Sequence, residues 1–182
     1  MIRWQRLAIG IGVVAAITLV ATGATAGDDR SDGAPGMVRE RLTGYEEDPL
    51  VLSTTGTGEF RARIGPGAKI TYSLRYSALE GTVTQAHIHL GGAAQSGGIS
   101  VFFCSNLGNG PAGTQACPPA PATVTGTIRP ADVIGPVGQG IDPGQFAELV
   151  AAIRAGATYV NVHSTKYPGG DIREQREQGK HG

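Results

Sequence analysis

Net charge is almost absent from this sequence of 182 residues, which carries 15 basic and 15 acidic residues. Electrostatic binding of nucleic acids or anionic lipid surfaces needs a clear excess of positive charge. Both kinds of partner are therefore excluded. The sequence also lacks a G-x-S-x-G elbow, a P-loop and a dinucleotide fingerprint in strand–helix context. No catalytic set of these three kinds is present.

Long apolar runs are missing beyond the N-terminus, where one run has the form of a targeting segment. Arg3 and Arg6 precede the apolar stretch from Leu7 to Ala21, and Ala24-Thr25-Ala26 follows it. A basic start, an apolar run of roughly 7–15 residues and an A-x-A site define a secretory signal peptide. A spanning helix needs about 20 apolar residues. We therefore predict a signal peptide over residues 1–26, export to the cell envelope or the medium, and no membrane span after cleavage.

The composition changes again after the predicted cleavage site. Residues 27–36 are polar and turn-rich, which predicts a disordered leader. Residues 37–176 have the size of one domain, and residues 177–182 form a polar tail. Removal of Arg3 and Arg6 with the signal peptide leaves 13 basic against 15 acidic residues, a net charge of about −2.

Cysteine is scarce, and the two that occur, Cys104 and Cys117, lie close together. In an oxidising compartment such a pair predicts a disulfide bond. The stretch between them is rich in glycine, asparagine and proline, so the bond would restrain a loop without a core of its own. Two cysteine ligands of a metal ion need closer spacing, such as C-x-x-C.

Short segments with alternating apolar and polar residues fill most of the predicted domain. In one of them Phe60, Ala62 and Ile64 alternate with charged residues and are expected to face inward. The pattern predicts an all-β fold, an antiparallel Greek-key-like β-sandwich of about seven to nine strands, similar in outline to superoxide dismutase. The predicted strands cover residues 37–45, 59–64, 69–76, 82–90, 99–104, 123–128, 158–164 and 171–175.

One short α-helix interrupts the strands. Its apolar positions recur with the spacing of one helical face: Phe146, Leu149, Val150 and Ile153. Asp142 is the expected N-cap, Gln145 can complete a capping box with it, and Gly156 is expected to end the helix.

Two segments of the domain contain three of the four histidines. The first reads Gln85-Ala86-His87-Ile88-His89-Leu90-Gly91, and the second runs from Tyr159 to Ser164 and continues to Pro168-Gly169-Gly170-Asp171-Ile172-Arg173. In this order, with the helix between them, they resemble the paired histidine motifs of the chordin-type (CHRD) domain, in its bacterial secreted single-domain form. The resemblance implies an extracellular β domain. It assigns no biochemical activity, because that of the family is largely undefined.

Strand periodicity places the histidines on common faces. His87 and His89 are expected to point to one side of their strand, and Tyr159, Asn161 and His163 to one side of theirs. If the two strands are neighbours, the three imidazoles converge. Three imidazoles suit one Zn or Cu ion and leave a fourth position for water or substrate.

The alternative interpretation is a hydrogen-bonded polar layer without a metal. In that case the imidazoles bond to Asn161, Tyr159, Thr84 or backbone carbonyls and hold the strand register. Four histidines are too few for the dinuclear site of a dismutase, and His181 lies in the tail. Both interpretations stay open on the sequence.

Two functions follow from these patterns. The first is a non-catalytic extracellular or envelope binding module for a protein or a glycan. The second is a mononuclear metal protein or simple metalloenzyme that binds one Cu or Zn ion through His87, His89 and His163, with Tyr159 and Asn161 as a supporting polar face. The acidic run Glu46-Glu47-Asp48 lacks the spaced oxygen ligands of a calcium loop and is expected to form a solvated turn.

Overall fold

The computed structural model describes residues 36–174 of the chain. The predicted signal peptide, residues 27–35 of the predicted leader and the tail lie outside the described residues, as do the last two residues of the predicted domain. Within the described range, no helix combines the length and the apolar character needed to cross a bilayer.

Eight strands and one α-helix make up the regular structure of the described part of the chain. The strands are β1 (Met37–Thr43), β2 (Thr57–Gly65), β3 (Lys69–Ser77), β4 (Val83–Leu90), β5 (Ile99–Ser105), β6 (Ala122–Ile128), β7 (Thr158–Ser164) and β8 (Ile172–Arg173). The helix α1 spans Phe146–Arg154, and three 3-10 turns span Gly44–Glu46, Pro130–Asp132 and Val137–Gln139.

The strands form one antiparallel sheet in the order β5-β4-β7-β8-β1-β2-β3-β6. Its two edge strands, β5 and β6, approach each other, so the sheet is nearly closed. The pairs β3–β6, β4–β7 and β1–β8 join strands that are far apart in the sequence, as Greek-key connections do. The predicted antiparallel all-β fold, the number of strands and the single helix are confirmed.

Strand alternation determines which side chains form the core. Phe60 and Ala62 of β2 are buried, and so are Ile70, Leu74 and Tyr76 of β3, as their period-2 spacing predicts. The charged residues between them point to solvent. The apolar faces of the strands meet inside the nearly closed sheet. Their burial supplies the main stabilisation of the fold.

The helix differs from the prediction at its N-terminus. It begins at Phe146 with Gln145 as N-cap, and Asp142 does not cap it. The side chain of Gln145 instead accepts a hydrogen bond from the Asp142 backbone N–H at 2.7 Å, which stabilises a turn before the helix. Gly144, in the left-handed region at φ +87°, separates that turn from the helix. The predicted C-terminal residue is correct, because Gly156 follows the helix at φ +66°.

Cys104 and Cys117 form the predicted disulfide bond, with an S–S distance of 2.08 Å and a Cα–Cα distance of 5.0 Å. The enclosed loop has a second anchor at Asn106. Its side chain donates to the carbonyls of Val83 and Cys117, both at 3.0 Å, and accepts from the Cys117 N–H at 3.0 Å. The loop is therefore tied to the start of β4 and to the end of β5.

Candidate metal centre

Strands β4 and β7 are hydrogen-bonded neighbours, and their register brings the two histidine segments together. Gln85 pairs with His163, His87 with Asn161, and His89 with Tyr159. The alternate residues of both strands enter the core: Ala86, Ile88, Val160 and Val162. The histidines therefore lie on the outer face of the sheet, as their period-2 spacing predicts.

One nitrogen from each of His87, His89 and His163 lies within 4.8 Å of the other two. The closest pair is His87 Nδ1 and His163 Nε2, at 3.3 Å. Two ligands bound to a tetrahedral ion at about 2.0–2.1 Å are separated by about 3.3 Å. The three side chains are 0%, 8% and 6% exposed, respectively, so the cluster is enclosed although it lies on the outer face.

Backbone carbonyls determine the tautomers of two of these imidazoles. His89 Nδ1 lies 2.9 Å from the Gly97 carbonyl oxygen, and His163 Nδ1 lies 3.0 Å from that of Pro168. A carbonyl only accepts hydrogen bonds, so Nδ1 of each ring carries the proton. In the neutral imidazole Nε2 then has a free lone pair. This is the arrangement in which histidine binds a metal through Nε2 while a second group fixes its orientation.

Two further nitrogens of the cluster are buried without a hydrogen-bond partner, Nε2 of His87 and Nε2 of His89. A buried polar atom without a partner costs about 1–3 kcal/mol. The carbonyl bonds agree with the polar-layer interpretation, but that interpretation leaves these two nitrogens unexplained. Within the described residues, the ring nitrogens form hydrogen bonds with two backbone carbonyls and with each other, and not with Thr84, Asn161 or Tyr159.

Burial lowers the pKa of all three histidines and keeps them neutral. Desolvation is the largest cause in each case and brings the pKa of His87 to about 2 and that of His89 to about 4. The proximity of His163 and His89 lowers the pKa of His87 further. The Gly97 carbonyl raises the pKa of His89, whereas the proximity of His163 and Arg173 lowers it. For His163, burial lowers the pKa and the Pro168 carbonyl raises it. Neutral imidazole is the form that coordinates metal ions.

The predicted supporting residues, Tyr159 and Asn161, lie beside the histidines on β7 and are both buried. The Tyr159 ring stacks on His89 with a centroid distance of 4.8 Å and an angle of 2°. The Asn161 side chain forms its hydrogen bond with Glu47 and not with an imidazole: Nδ2 of Asn161 donates to Oε2 of Glu47 at 3.2 Å.

Glu47 was expected in a solvated turn, and that expectation is wrong. The residue is only 7% exposed, and burial raises the pKa of its carboxyl to about 7 against the lowering effects of Asn161 and Arg173. The backbone at residue 170 can lie next to the Glu47 carboxylate because this residue is glycine, at φ +146°. A Cβ at this position would overlap Glu47 Oε2. The sequence offered no signal that distinguishes Glu47 from its two acidic neighbours.

Gly97 is required where the β4–β5 loop folds back over the end of β4. A Cβ at this position would overlap the carbonyl group of Leu90. We expect Gly97→Ala to displace the loop and to remove the carbonyl partner of His89, with a loss of about 1–3 kcal/mol. Gly138→Ala is the matched control, because a Cβ there meets no atom within 4 Å. Denaturant unfolding of both variants checks this, and equal stabilities would contradict it.

The sequence profile of the CHRD domain matches residues 38–175. The chain is a member of the CHRD domain family. The match covers the helix, all three clustered histidines and, except for Met37, the eight strands of this CHRD domain. No curated protein and no solved structure matches the chain.

Sequence reasoning identified the three histidines of the CHRD domain but not their surroundings. The carbonyls of Gly97 and Pro168 carry no side-chain signal, so only the folded loops reveal them. Arg173 belongs to the second histidine segment, but the sequence does not predict its burial next to Tyr159. His181 lies outside the described residues.

Proposed function

We propose that this CHRD domain is a mononuclear metal-binding protein in which His87, His89 and His163 bind one Cu or Zn ion. The observation that carries the proposal is the enclosed cluster of three neutral imidazoles. Two of them are tied through Nδ1 to carbonyls, and two Nε2 atoms have no partner. A metal ion bound by Nδ1 of His87 and Nε2 of the other two would satisfy the buried Nε2 of His89, which hydrogen bonds within the described residues do not.

The donor set determines which ions fit. Imidazole nitrogens suit Zn and Cu, whereas Ca and Mg require oxygen ligands. Three protein ligands leave a fourth position for water or a small exogenous ligand, as in catalytic zinc sites. His87, with Nδ1 close to His163 Nε2, would complete a set otherwise made of Nε2 donors.

Export of the protein belongs to the same proposal. A basic start, an apolar run and an A-x-A site support a signal peptide over residues 1–26, and a disulfide bond suits an oxidising compartment. N-terminal sequencing of protein recovered from the envelope or the medium tests this. We expect the mature chain to begin at Gly27, and an intact Met1 would contradict it.

Metal retention of the full chain is the decisive test. We expect the protein, purified without an affinity tag, to retain close to one equivalent of Cu or Zn by elemental analysis. His89→Ala and His163→Ala should each abolish that retention. His181→Ala is the matched control, because it removes the one histidine of the predicted polar tail and should leave retention unchanged. Absence of metal, together with no thermal shift on addition of Cu(II) or Zn(II), would contradict the proposal.

A second candidate function, binding of an extracellular protein or glycan, is favoured by one loop. Tyr45, Leu50 and Val51 lie within seven positions of each other and are 66%, 75% and 68% exposed. Large apolar side chains grouped at a surface are typical of interaction sites. Capture of envelope material by the wild type but not by Leu50→Ser would support this function, and equal capture would oppose it.

A further inference from the structure

The His89 imidazole lies against two side chains that the proposed coordination does not use. The Tyr159 ring is stacked flat on it, and the Arg173 guanidinium carbon lies 3.5 Å from the centroid of the Tyr159 ring. All three side chains are buried. We call His89, Tyr159 and Arg173 the stacking cluster. A guanidinium on a tyrosine face is a favourable cation–π contact, stronger when both groups are removed from water.

Each member of the stacking cluster is hydrogen-bonded to the same loop, residues 91–98 between β4 and β5. His89 Nδ1 donates to the Gly97 carbonyl at 2.9 Å, and the Gly97 N–H donates to the Tyr159 hydroxyl oxygen at 3.1 Å. Arg173 Nη2 donates to two other carbonyls of the loop, at 3.2 and 2.9 Å. The loop and the three side chains therefore hold one another in place.

These contacts restrain the His89 ring against two movements. A partial rotation about the Cβ–Cγ bond of His89 would break the flat stacking on Tyr159. A flip of the ring by 180° about that bond would place the carbon Cδ2 against the Gly97 carbonyl and break the hydrogen bond from Nδ1. The other two imidazoles are restrained differently. The His87 and Phe102 rings are nearly perpendicular, with centroids 4.3 Å apart, and His163 is hydrogen-bonded to the Pro168 carbonyl.

We propose that Tyr159 is a positioning residue of the metal centre. Its ring, held by Arg173 and by the Gly97 N–H, keeps His89 in the orientation that leaves Nε2 available to the cluster. The consequence for metal affinity rests on the proposed metal-binding function. The orientation of the His89 ring does not depend on that function, because every contact that produces this orientation is present without a metal ion. Groups that orient a coordinating histidine typically change metal affinity by 10–100-fold.

The test uses the full chain with Tyr159→Phe, which keeps the ring, and Tyr159→Leu, which removes it. Nitrogen NMR of ¹⁵N-histidine-labelled, metal-free protein shows which ring nitrogen of His89 carries the proton. We expect a single Nδ1–H form in the wild type and in Tyr159→Phe, and a mixture of both forms in Tyr159→Leu. In a competition titration against a chelator, Tyr159→Leu should bind Cu(II) or Zn(II) about 10–100-fold more weakly.

Tyr72→Leu is the matched control, because it removes a tyrosine that packs on Phe103, at a centroid distance of 4.6 Å, instead of on a histidine. An unchanged His89 form in Tyr159→Leu, or an equal loss of affinity in Tyr72→Leu, would overturn the proposal. A wild type that binds no metal, combined with mixed His89 forms in Tyr159→Leu, would overturn the metal function and support the positioning role. If Tyr159→Leu does not fold, Tyr159→Met is judged by the same outcomes.

Discussion

Metal-free protein is expected to lose stability steeply as the pH falls below about 6.5. The folded-state pKa values of His87 and His89, about 2 and about 4, lie below the ordinary value of 6.5, and that of His163 is lowered as well. The unfolded chain therefore binds protons at a pH where the folded chain does not. A depressed pKa of this kind contributes stability above pH 6.5 that is lost on acidification.

Glu47 acts in the opposite direction. Its folded-state pKa of about 7 lies above the ordinary 4.5, so the folded chain gains a proton first and is stabilised as the pH falls from about 7 to 4.5. His87 and His89 against Glu47 leave a net difference of about one proton, and His163 changes the stability in the same direction as the other two histidines. The free energy of unfolding should then fall by at least about 1.4 kcal/mol per pH unit. From pH 6.5 to 4.5 this amounts to about 3 kcal/mol, a large fraction of the stability of a small domain.

Denaturant unfolding at a series of pH values measures this slope. Glu47→Gln is the informative variant, because it removes the opposing proton: we expect higher stability at neutral pH and a steeper loss below pH 6.5. If the proposed metal site binds Cu or Zn, the loaded protein should keep its stability to lower pH, since metal and protons compete for the same nitrogens. A wild-type stability that stays constant between pH 7 and 4.5 would contradict the burial of neutral histidines.

Loss of the disulfide bond is expected to lower the free energy of unfolding by about 3 kcal/mol. Cys104 and Cys117 are 13 positions apart, and a link of that span restricts the unfolded chain by about this amount. For a domain of this size the melting temperature should fall by about 10 °C. The native loop should persist, because Asn106 and Gln115 bind it to the carbonyls of Val83 and Phe103 independently of the disulfide.

The double variant Cys104→Ser/Cys117→Ser isolates this effect. Its melting temperature should match that of wild-type protein treated with a reductant, and the reductant should not change the variant further. Replacing both cysteines avoids a single free thiol that could pair between molecules. A melting temperature equal to that of the oxidised wild type would show that the bond does not restrain the unfolded chain.

The strands and their faces follow from the sequence because they depend on local alternation. Phe60, Ala62 and Leu74 are buried as predicted, and His87 and His89 share a face because residues two apart in a strand always do. The end of the helix was also predictable, since Gly156 takes a backbone conformation that other residues rarely adopt. The start of the helix was not, because Asp142 and Gln145 form an equally local turn that precedes it.

Membership of the CHRD family, the antiparallel all-β architecture and the choice of His87, His89 and His163 as candidate ligands follow from the sequence alone. Only the tertiary structure decided that β4 and β7 are neighbours in a register that places His163 within 4.8 Å of the other two histidines. It also decided that the Gly97 and Pro168 carbonyls set the tautomers and that Glu47 is buried. The reason is physical: alternation specifies which face a side chain occupies, whereas strand partners, loop carbonyls and burial depend on contacts between distant parts of the chain.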